Sequence, residues 1–380
     1  MNSLTVAAAG SGKTTHIVHT AVSELRKVGI FTFTNDNEEQ IRCSVYKLKG
    51  YIPGNVSIFS WFSFLLKHGV RPYQSFIHSD RIRGINLVSN KSGFRFHGKF
   101  GPVYWGEKDV ERFYFDESDR MFSDKIAKYV VRCNELSTGA TLRRLRKLFD
   151  VVFIDEVQDF AGYDLEFLRL MMLEGIEVHV VGDPRQCTYQ THIDQKYKKY
   201  SGPGIANFFR NECKKSDVVI DETTLQVTYR NNDRIVSISS QLYPNLSVPK
   251  SGHNATESLH GVHFIPISEL DVFLAENSAM QLRYSIAVSK VSRDYPAMNI
   301  GKSKGLEFDT VVLFPTEAMQ SWLLCAEVAL KEKTRALLYV AITRARHTVV
   351  VVLPDKEFKK LDQVALSGNV HHQPVRVKYP

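Results

Sequence analysis

Lys13 and Thr14 close the string Ala7-Ala8-Ala9-Gly10-Ser11-Gly12, and residues of these types at this spacing can hold a polyphosphate. Gly10 and Gly12 lack the side chains that would stop the backbone from curling with its N–H groups inward, and a helix starting at Lys13 would aim the positive end of its dipole at the same point. The Lys13 ammonium would then sit on the β- and γ-phosphates of a nucleotide, and the Thr14 hydroxyl on Mg²⁺. The candidate nucleotide contacts are Ala9, Gly10, Ser11, Gly12, Lys13, Thr14 and Thr15. Ala7 stands where the first glycine of such a loop is usual.

The second chemical signal is Val151-Val152-Phe153-Ile154-Asp155-Glu156-Val157-Gln158-Asp159, an apolar run ending in adjacent acids. Side chains alternate at a strand end, so the two carboxylates need not share a task. Asp155 would hold Mg²⁺, and Glu156 would orient and deprotonate an attacking water. Acids at a strand end also cap helices. A phosphate loop in the same chain favours the catalytic reading.

These residues need a scaffold. Leu4 to Ala8 reads as a strand, and Ile17, Val18, Ala21, Val22 and Leu25 recur at helical spacing up to Gly29. Further strands are expected at Ile30 to Thr34, Val151 to Ile154 and Glu177 to Val181. Strands alternating with helices imply an α/β fold with parallel sheets. After the breaker Ser201-Gly202-Pro203-Gly204 the pattern restarts, with strands expected near Ser285 to Val288, Thr310 to Phe314 and Thr348 to Leu353. Residues 71–145 mix aromatics with charges and read as an insertion. The expected organisation is a first domain from 1–70 and 146–220, the insertion at 71–145, and a second domain at 221–380.

The chain has 380 residues, 43% hydrophobic and 24% charged, which fits a globular protein of two or three domains and excludes a fibre or a disordered chain. A net charge of +8 favours an anionic partner such as nucleic acid; composition alone leaves ribosomal or membrane-surface contact open. The cysteines, Cys43, Cys133, Cys187, Cys213 and Cys325, are scattered and never paired as C-x-x-C, so no disulfide framework or zinc site is signalled. No apolar run is long enough to span a membrane, and a cytoplasmic location with no membrane contact is expected. His16, His19, His371 and His372 have no metal-spaced partners and read as ordinary histidines.

With both motifs in hand, Asp155-Glu156-Val157-Gln158-Asp159 resembles motif II of the UvrD/Rep/PcrA branch of superfamily 1 helicases. Phe31-Thr32-Phe33-Thr34-Asn35 is similar to motif Ia, Ile58-Phe59-Ser60 to motif Ib, and Val181-Gly182-Asp183-Pro184-Arg185-Gln186 to motif III. Thr228-Tyr229-Arg230-Asn231 resembles motif IV, Lys304-Gly305-Leu306-Glu307-Phe308-Asp309 motif V, and Leu338-Tyr339-Val340-Ala341-Ile342-Thr343-Arg344-Ala345-Arg346 motif VI. The resemblance implies two RecA-like domains, with the insertion at 71–145 as a small subdomain of the type called 1B and the nucleotide between the two domains. It makes Gln186 a γ-phosphate contact, Arg230 and Arg344 the cations on the transferring phosphoryl group, Tyr229 a stacking surface for the base and Glu307 a ribose contact. Thr34, Asn35 and Phe59 match positions that touch single-stranded DNA, and Tyr189 is in register for the same task. The implied activity is a Mg²⁺-dependent, single-stranded-DNA-stimulated ATPase acting as a 3′ to 5′ translocase or helicase.

The chain departs from that pattern in three places. Six residues precede the loop, which leaves no room for the glutamine motif that reads adenine, so ATP over GTP is an expectation from resemblance. Thr191 and His192 stand where relatives carry a stacking Trp and an Arg. Only about seventy residues separate Arg230 from Gly301, too few for the large subdomain called 2B. Compact UvrD-like proteins also resemble the helicase-like subunits of phage-defence systems such as Gabija, which act with an OLD-type nuclease. The alternative expectation is therefore an ATP-switched subunit of a nuclease or repair complex. An RNA motor is a third class, disfavoured by the motif II and Ia strings. Arg143-Arg144-Leu145-Arg146-Lys147 and Lys196-Tyr197-Lys198-Lys199-Tyr200 are basic enough for phosphate contacts or for a solvated face.

Overall fold

The structure, a computed structural model, describes residues 1–188, 195–253, 260–287, 290–325 and 328–366. It divides into two units, one of residues 1–6 and 13–221, the other of residues 7–12 and 222–380.

The first unit runs β1 (Asn2–Val6), α1 (Lys13–Ser23), β2 (Val28–Thr32), α2 (Asn35–Lys49), β3 (Val56–Ser60), β4 (Phe94–Gly98), β5 (Gly101–Tyr104), α3 (Ile126–Leu136), α4 (Ala140–Leu148), β6 (Val151–Ile154), α5 (Gly162–Leu173), β7 (Glu177–Gly182), α6 (Ile205–Glu212) and β8 (Val218–Asp221). Six of these strands make a sheet in the order β8-β1-β7-β6-β2-β3, every pairing parallel. β2 and β6 are buried at every residue, as interior strands covered on both faces must be. α1 stops at Ser23, and Leu25, expected on its buried stripe, is 94% exposed just beyond it. α2 is capped by the Thr34 hydroxyl at one end and by Gly50 in the left-handed conformation at the other.

The 71–145 segment is rooted in the same core. Tyr114, Met121, Tyr129 and Val130 belong to one buried cluster with Phe31, Val152 and Ile154. A short π-helical stretch, Leu65–Val70, approaches α3 so closely that a Cβ on Gly69 would stand 2.6 Å from the Val130 methyls. Beyond this root, β4 and β5 form an antiparallel hairpin of their own.

The second unit contains α7 (Asp233–Gln241), β9 (Gly261–Pro266), α8 (Leu270–Glu276), β10 (Ala279–Arg283), β11 (Ala297–Asn299), β12 (Phe308–Phe314), α9 (Glu317–Leu324), α10 (Glu332–Thr343) and β13 (Ala345–Leu353). Its parallel sheet has the order β9-β13-β12-β10-β11. Both units are α/β with an all-parallel main sheet, the expected fold class. The strand expected near Ser285 to Val288 is instead β10 at Ala279–Arg283. Beyond Arg283 the chain turns, Ile286 is 80% exposed, and Val288 lies outside the described residues. α10 is buried from Ala336 to Thr343, which explains why its sequence shows little amphipathic rhythm. Among the described residues no helix is long and apolar enough to cross a membrane.

Candidate active site

In a parallel sheet the C-terminal ends of the strands share one edge, and ligands bind there. The register aligns Val6 of β1 with Gly182 of β7, Ile154 of β6 with Phe31 of β2, and Thr32 with Ser60 of β3. That edge therefore carries the start of the glycine loop, the Asp155-Glu156 pair, the Asp183 to Gln186 turn and Thr34. β7 lies between β1 and β6, which spaces the loop strand one position from the acidic strand.

Within the first unit, the Thr14 hydroxyl donates to Asp155 Oδ2 at 2.8 Å, and Lys13 Nζ lies 3.9 Å from Glu156 Oε1. Asp155 is buried, and burial together with the neighbouring Glu156 charge pushes its carboxyl up to about 6, against the pull of Lys13 and the Thr14 hydrogen bond. An Asp155 carboxylate short of positive charge beside a threonine hydroxyl offers hard oxygen donors, which suits Mg²⁺. Thr15 is exposed on the outer side of the first turn.

Glu156 adopts a left-handed backbone (φ 58°, ψ 40°), which costs a residue with a Cβ on the order of 1 kcal/mol. Hydrogen bonds to both its backbone and its side chain help to hold it there. Its N–H donates to Asp155 Oδ1 at 2.9 Å, and the Gln158 carboxamide donates to Glu156 Oε2. Gln158 is fully buried, and its Oε1 accepts from the Asp183 N–H at 3.0 Å. Asp183 in turn accepts from Gln186 Nε2 at 2.9 Å and pairs with Arg185 at 3.4 Å. Gln158 and Asp183 thus join Glu156 to Gln186 through hydrogen bonds alone. Sequence reasoning placed Gln158 inside its motif and gave it no role; its signal is a carboxamide where the neighbours are acids. Replacing Gln158 with Leu is expected to leave nucleotide affinity within about threefold and to lower turnover about ten- to hundredfold, because the carboxylate loses its orientation. Nucleotide titration beside steady-state turnover checks this.

In the second unit, the loop residues Ala7 to Gly12 meet the segment after Glu222. The Ala8 N–H donates to the Leu225 carbonyl at 3.0 Å, and the Tyr229 N–H to the Gly10 carbonyl at 3.0 Å. Gly10 (φ 71°) lies so near Arg230 that a Cβ on it would stand 2.5 Å from the Arg230 Cβ. Ala9 and Ser11 are buried, and Gly12 (φ 82°) is exposed. The Tyr229 side chain is 68% exposed, free to offer a ring face. Arg230 Nε donates to Glu307 Oε2 at 2.9 Å, and Arg346 donates to the other oxygen of the same carboxylate. Burial raises the Glu307 pKa, but Arg346 and Arg230 outweigh it and hold the carboxyl below its ordinary value. Arg346 ends the motif VI string, where sequence reasoning gave it no role. Arg344 is buried, donating to the carbonyls of Leu306 at 2.9 Å and Val340 at 3.3 Å.

Asn231 and Asn232 are a further pair that sequence reasoning missed. Asn231 Nδ2 donates to the Ala345 carbonyl at 2.6 Å, and Asn232 Nδ2 to the His347 carbonyl at 2.7 Å while its Oδ1 caps α7. They fasten the backbone after Arg230 to the backbone on either side of Arg344. An Asn231→Ala substitution leaves buried carbonyls without their donor and is expected to destabilise the protein by about 1–3 kcal/mol, readable as a lowered denaturant midpoint.

The residues expected on DNA divide. Asn35 is exposed at the first position of α2, and Thr34 is exposed while its hydroxyl accepts from the Asn37 N–H at 3.1 Å. Phe59 is half-buried, packed on the core beside His68 (ring centroids 5.3 Å), with Lys67 Nζ 5.0 Å from its ring centroid. Tyr189, Thr191, His192, His371 and His372 lie outside the described residues. In the basic runs, Arg143 and Arg144 donate to the carbonyls of Thr138 and His68, and Lys196 and Lys199 lie over tyrosine rings.

Residues 111–192 match the UvrD/REP helicase N-terminal domain, and residues 296–352 match the UvrD-like helicase C-terminal domain. The first stretch contains Asp155, Glu156 and Gln186; the second contains Glu307 and Arg344. Two separate stretches of the chain thus carry the N- and C-terminal domain signatures of UvrD-like helicases. The chain is 19% identical over 184 residues to the RecBCD enzyme subunit RecB of Borreliella burgdorferi, covering 42% of the chain and 15% of that relative. Among solved structures it is similar to the arterivirus nonstructural protein 10 helicase, at 16% identity and TM-score 0.42 over 94% of this chain and 61% of that one. It is likewise similar to the PRRSV helicase, at 16% identity and TM-score 0.43 over 94% and 54%. The chain thus spans less than two thirds of the length of each of these relatives.

Proposed function

We propose that the chain is a Mg²⁺-dependent ATPase stimulated by single-stranded DNA, which uses turnover to move along the strand in the 3′ to 5′ direction. The observation that carries this reading is the meeting of Lys13 and Thr14 with Glu156 and Asp155, residues some 140 positions apart in sequence and within 3.9 Å and 2.8 Å of one another. In it, Lys13 and the backbone of Ala9 to Gly12 bind the phosphates, Thr14 and Asp155 hold Mg²⁺, and Tyr229 and Glu307 receive base and ribose. Bound Mg²⁺ would supply charge neutralisation on the phosphate oxygens. Glu156 takes the proton of the attacking water, Gln186 senses the γ-phosphate, and Arg230 and Arg344 stabilise the charge that builds on the transferred group. Thr34 and Asn35 contact the strand.

A second reading is an ATP-switched subunit that works inside a larger complex, including a nuclease-containing or defence complex. The stretch from Arg230 to Gly301 favours it, because its longer described elements, α7, β9, α8, β10 and β11, are strands of the second sheet and two helices beside them rather than an added subdomain. Steady-state ATP hydrolysis measured without nucleic acid, with single-stranded DNA and with single-stranded RNA tests the two. Strong stimulation by DNA together with displacement of a protein roadblock from the strand supports the motor. Slow turnover indifferent to nucleic acid removes it and leaves the switch.

A further inference from the structure

We propose that the β4–β5 hairpin is a second, stacking contact for single-stranded DNA. This inference rests on the reading of the chain as a DNA-dependent ATPase. Three phenylalanines project from the hairpin: Phe94 and Phe96 are 49% and 47% exposed, and Phe100, at the turn, is 97% exposed. Large rings left in water on one small element mark an interaction surface rather than an accident of composition.

Charge selects the partner. Between Asp80 and Glu107 the sequence contains Arg81, Arg83, Lys91, Arg95 and Lys99 and no acidic residue. The cations lie against the rings. The Arg95 guanidinium is 4.4 Å from the Trp105 ring centroid and 5.5 Å from that of Phe96, Arg112 covers Trp105 at 4.5 Å, and Lys91 lies 4.4 Å from Tyr104. A second copy docking here would set the same cations face to face. A single strand of nucleic acid instead offers both complements, phosphates for the cations and unpaired bases for the rings. A membrane surface would need an apolar face clear of charge, and here Arg95 lies 5.5 Å from the Phe96 ring and Lys99 5.7 Å from the Phe100 ring.

The root of the hairpin is fixed, which keeps the cost of ordering it on binding low. Ser92 donates through its hydroxyl and its N–H to the buried Asp124 carboxylate at 2.5 and 3.1 Å, and the Trp105 N–H donates to the Gly93 carbonyl at 2.8 Å. The tip projects from a root tied to the core.

The test is the anisotropy of a labelled oligo-dT strand titrated with the full chain across a salt series. The variants are Phe96→Ala with Phe100→Ala, and Arg95→Ala with Lys99→Ala. The ring variant is expected to bind about tenfold more weakly for each ring that stacks on a base, with an unchanged salt slope. The charge variant is expected to lower the slope by about 1.4, from roughly 0.7 for each of two phosphates no longer neutralised. Basal turnover without DNA and the thermal midpoint serve as fold controls for both. Wild-type protein that binds the strand while both variants match it overturns the hairpin contact and leaves the proposed function standing. Wild-type protein that binds no strand overturns both. Hairpin-dependent binding to anionic vesicles with no effect on DNA, or hairpin-dependent self-association, also overturns the inference.

Discussion

Glu156→Gln is expected to bind ATP at least as tightly as the wild type and to hydrolyse it about 10²- to 10⁴-fold more slowly, the usual loss when a positioned general base is removed. The substitution is nearly isosteric, so the Gln158 contact and the strained backbone at residue 156 can persist. The oxygens proposed for Mg²⁺, on Thr14 and Asp155, are untouched. Removing the Glu156 charge also relieves the repulsion that helps to raise the Asp155 pKa, which leaves Asp155 more fully ionised near neutral pH. Nucleotide binding should therefore survive while chemistry fails. A fluorescent-nucleotide titration paired with steady-state and single-turnover hydrolysis checks this. Turnover within threefold of wild type would assign the base to another residue.

Arg230→Ala is expected to lower turnover about 10³- to 10⁵-fold, the span seen when an arginine that neutralises a transferring phosphoryl group is lost. Arg230→Lys should rescue little, since a point charge on a flexible stem cannot reproduce the planar fork. The side chain is half engaged already, held by Glu307, which also accepts from Arg346. Nucleotide must compete with that carboxylate for Arg230. Glu307→Gln should accordingly strengthen binding of nucleotide triphosphate relative to diphosphate if the competition outweighs the missing ribose interaction. Measured affinities for the two nucleotides separate these effects. A turnover loss below about tenfold in Arg230→Ala would move the principal cation elsewhere, with Arg344 the next residue to test.

The residues proposed to bear the chemistry stand out in the sequence because each charged side chain sits at a fixed place in a local pattern. Lys13 follows two glycines, and Asp155 and Glu156 end an apolar strand. What positions them was not legible, because it depends on partners far away in sequence. Nothing local to Gln158 announces that its carboxamide will meet the Asp183 N–H, and nothing near Asn231 points to the Ala345 carbonyl. Strand placement failed for a related reason at β10. Its sequence, Ala-Met-Gln-Leu-Arg, buries Gln281, whose side chain binds the backbone of Ser292 and Tyr295, so a buried strand carries a polar residue at its centre. The helical rhythm of α1 overran at Leu25 because an apolar residue one turn too far fits the same period. The 71–145 segment was visible as a mixture of rings and charges, but the exposure of Phe94, Phe96 and Phe100 needed the hairpin.

Gly182 has a consequence for how this sequence can vary. A Cβ there would collide with Gln158 Oε1 and come within 2.9 Å of Val157 Cγ1, so the carboxamide lies in space that only a glycine leaves open. A lineage that acquired alanine at 182 would have to shorten or redirect residue 158 and shift Val157 in the same step, since losing Gln158 removes only the closer of the two clashes. Position 182 should therefore drift with 157 and 158 or not at all.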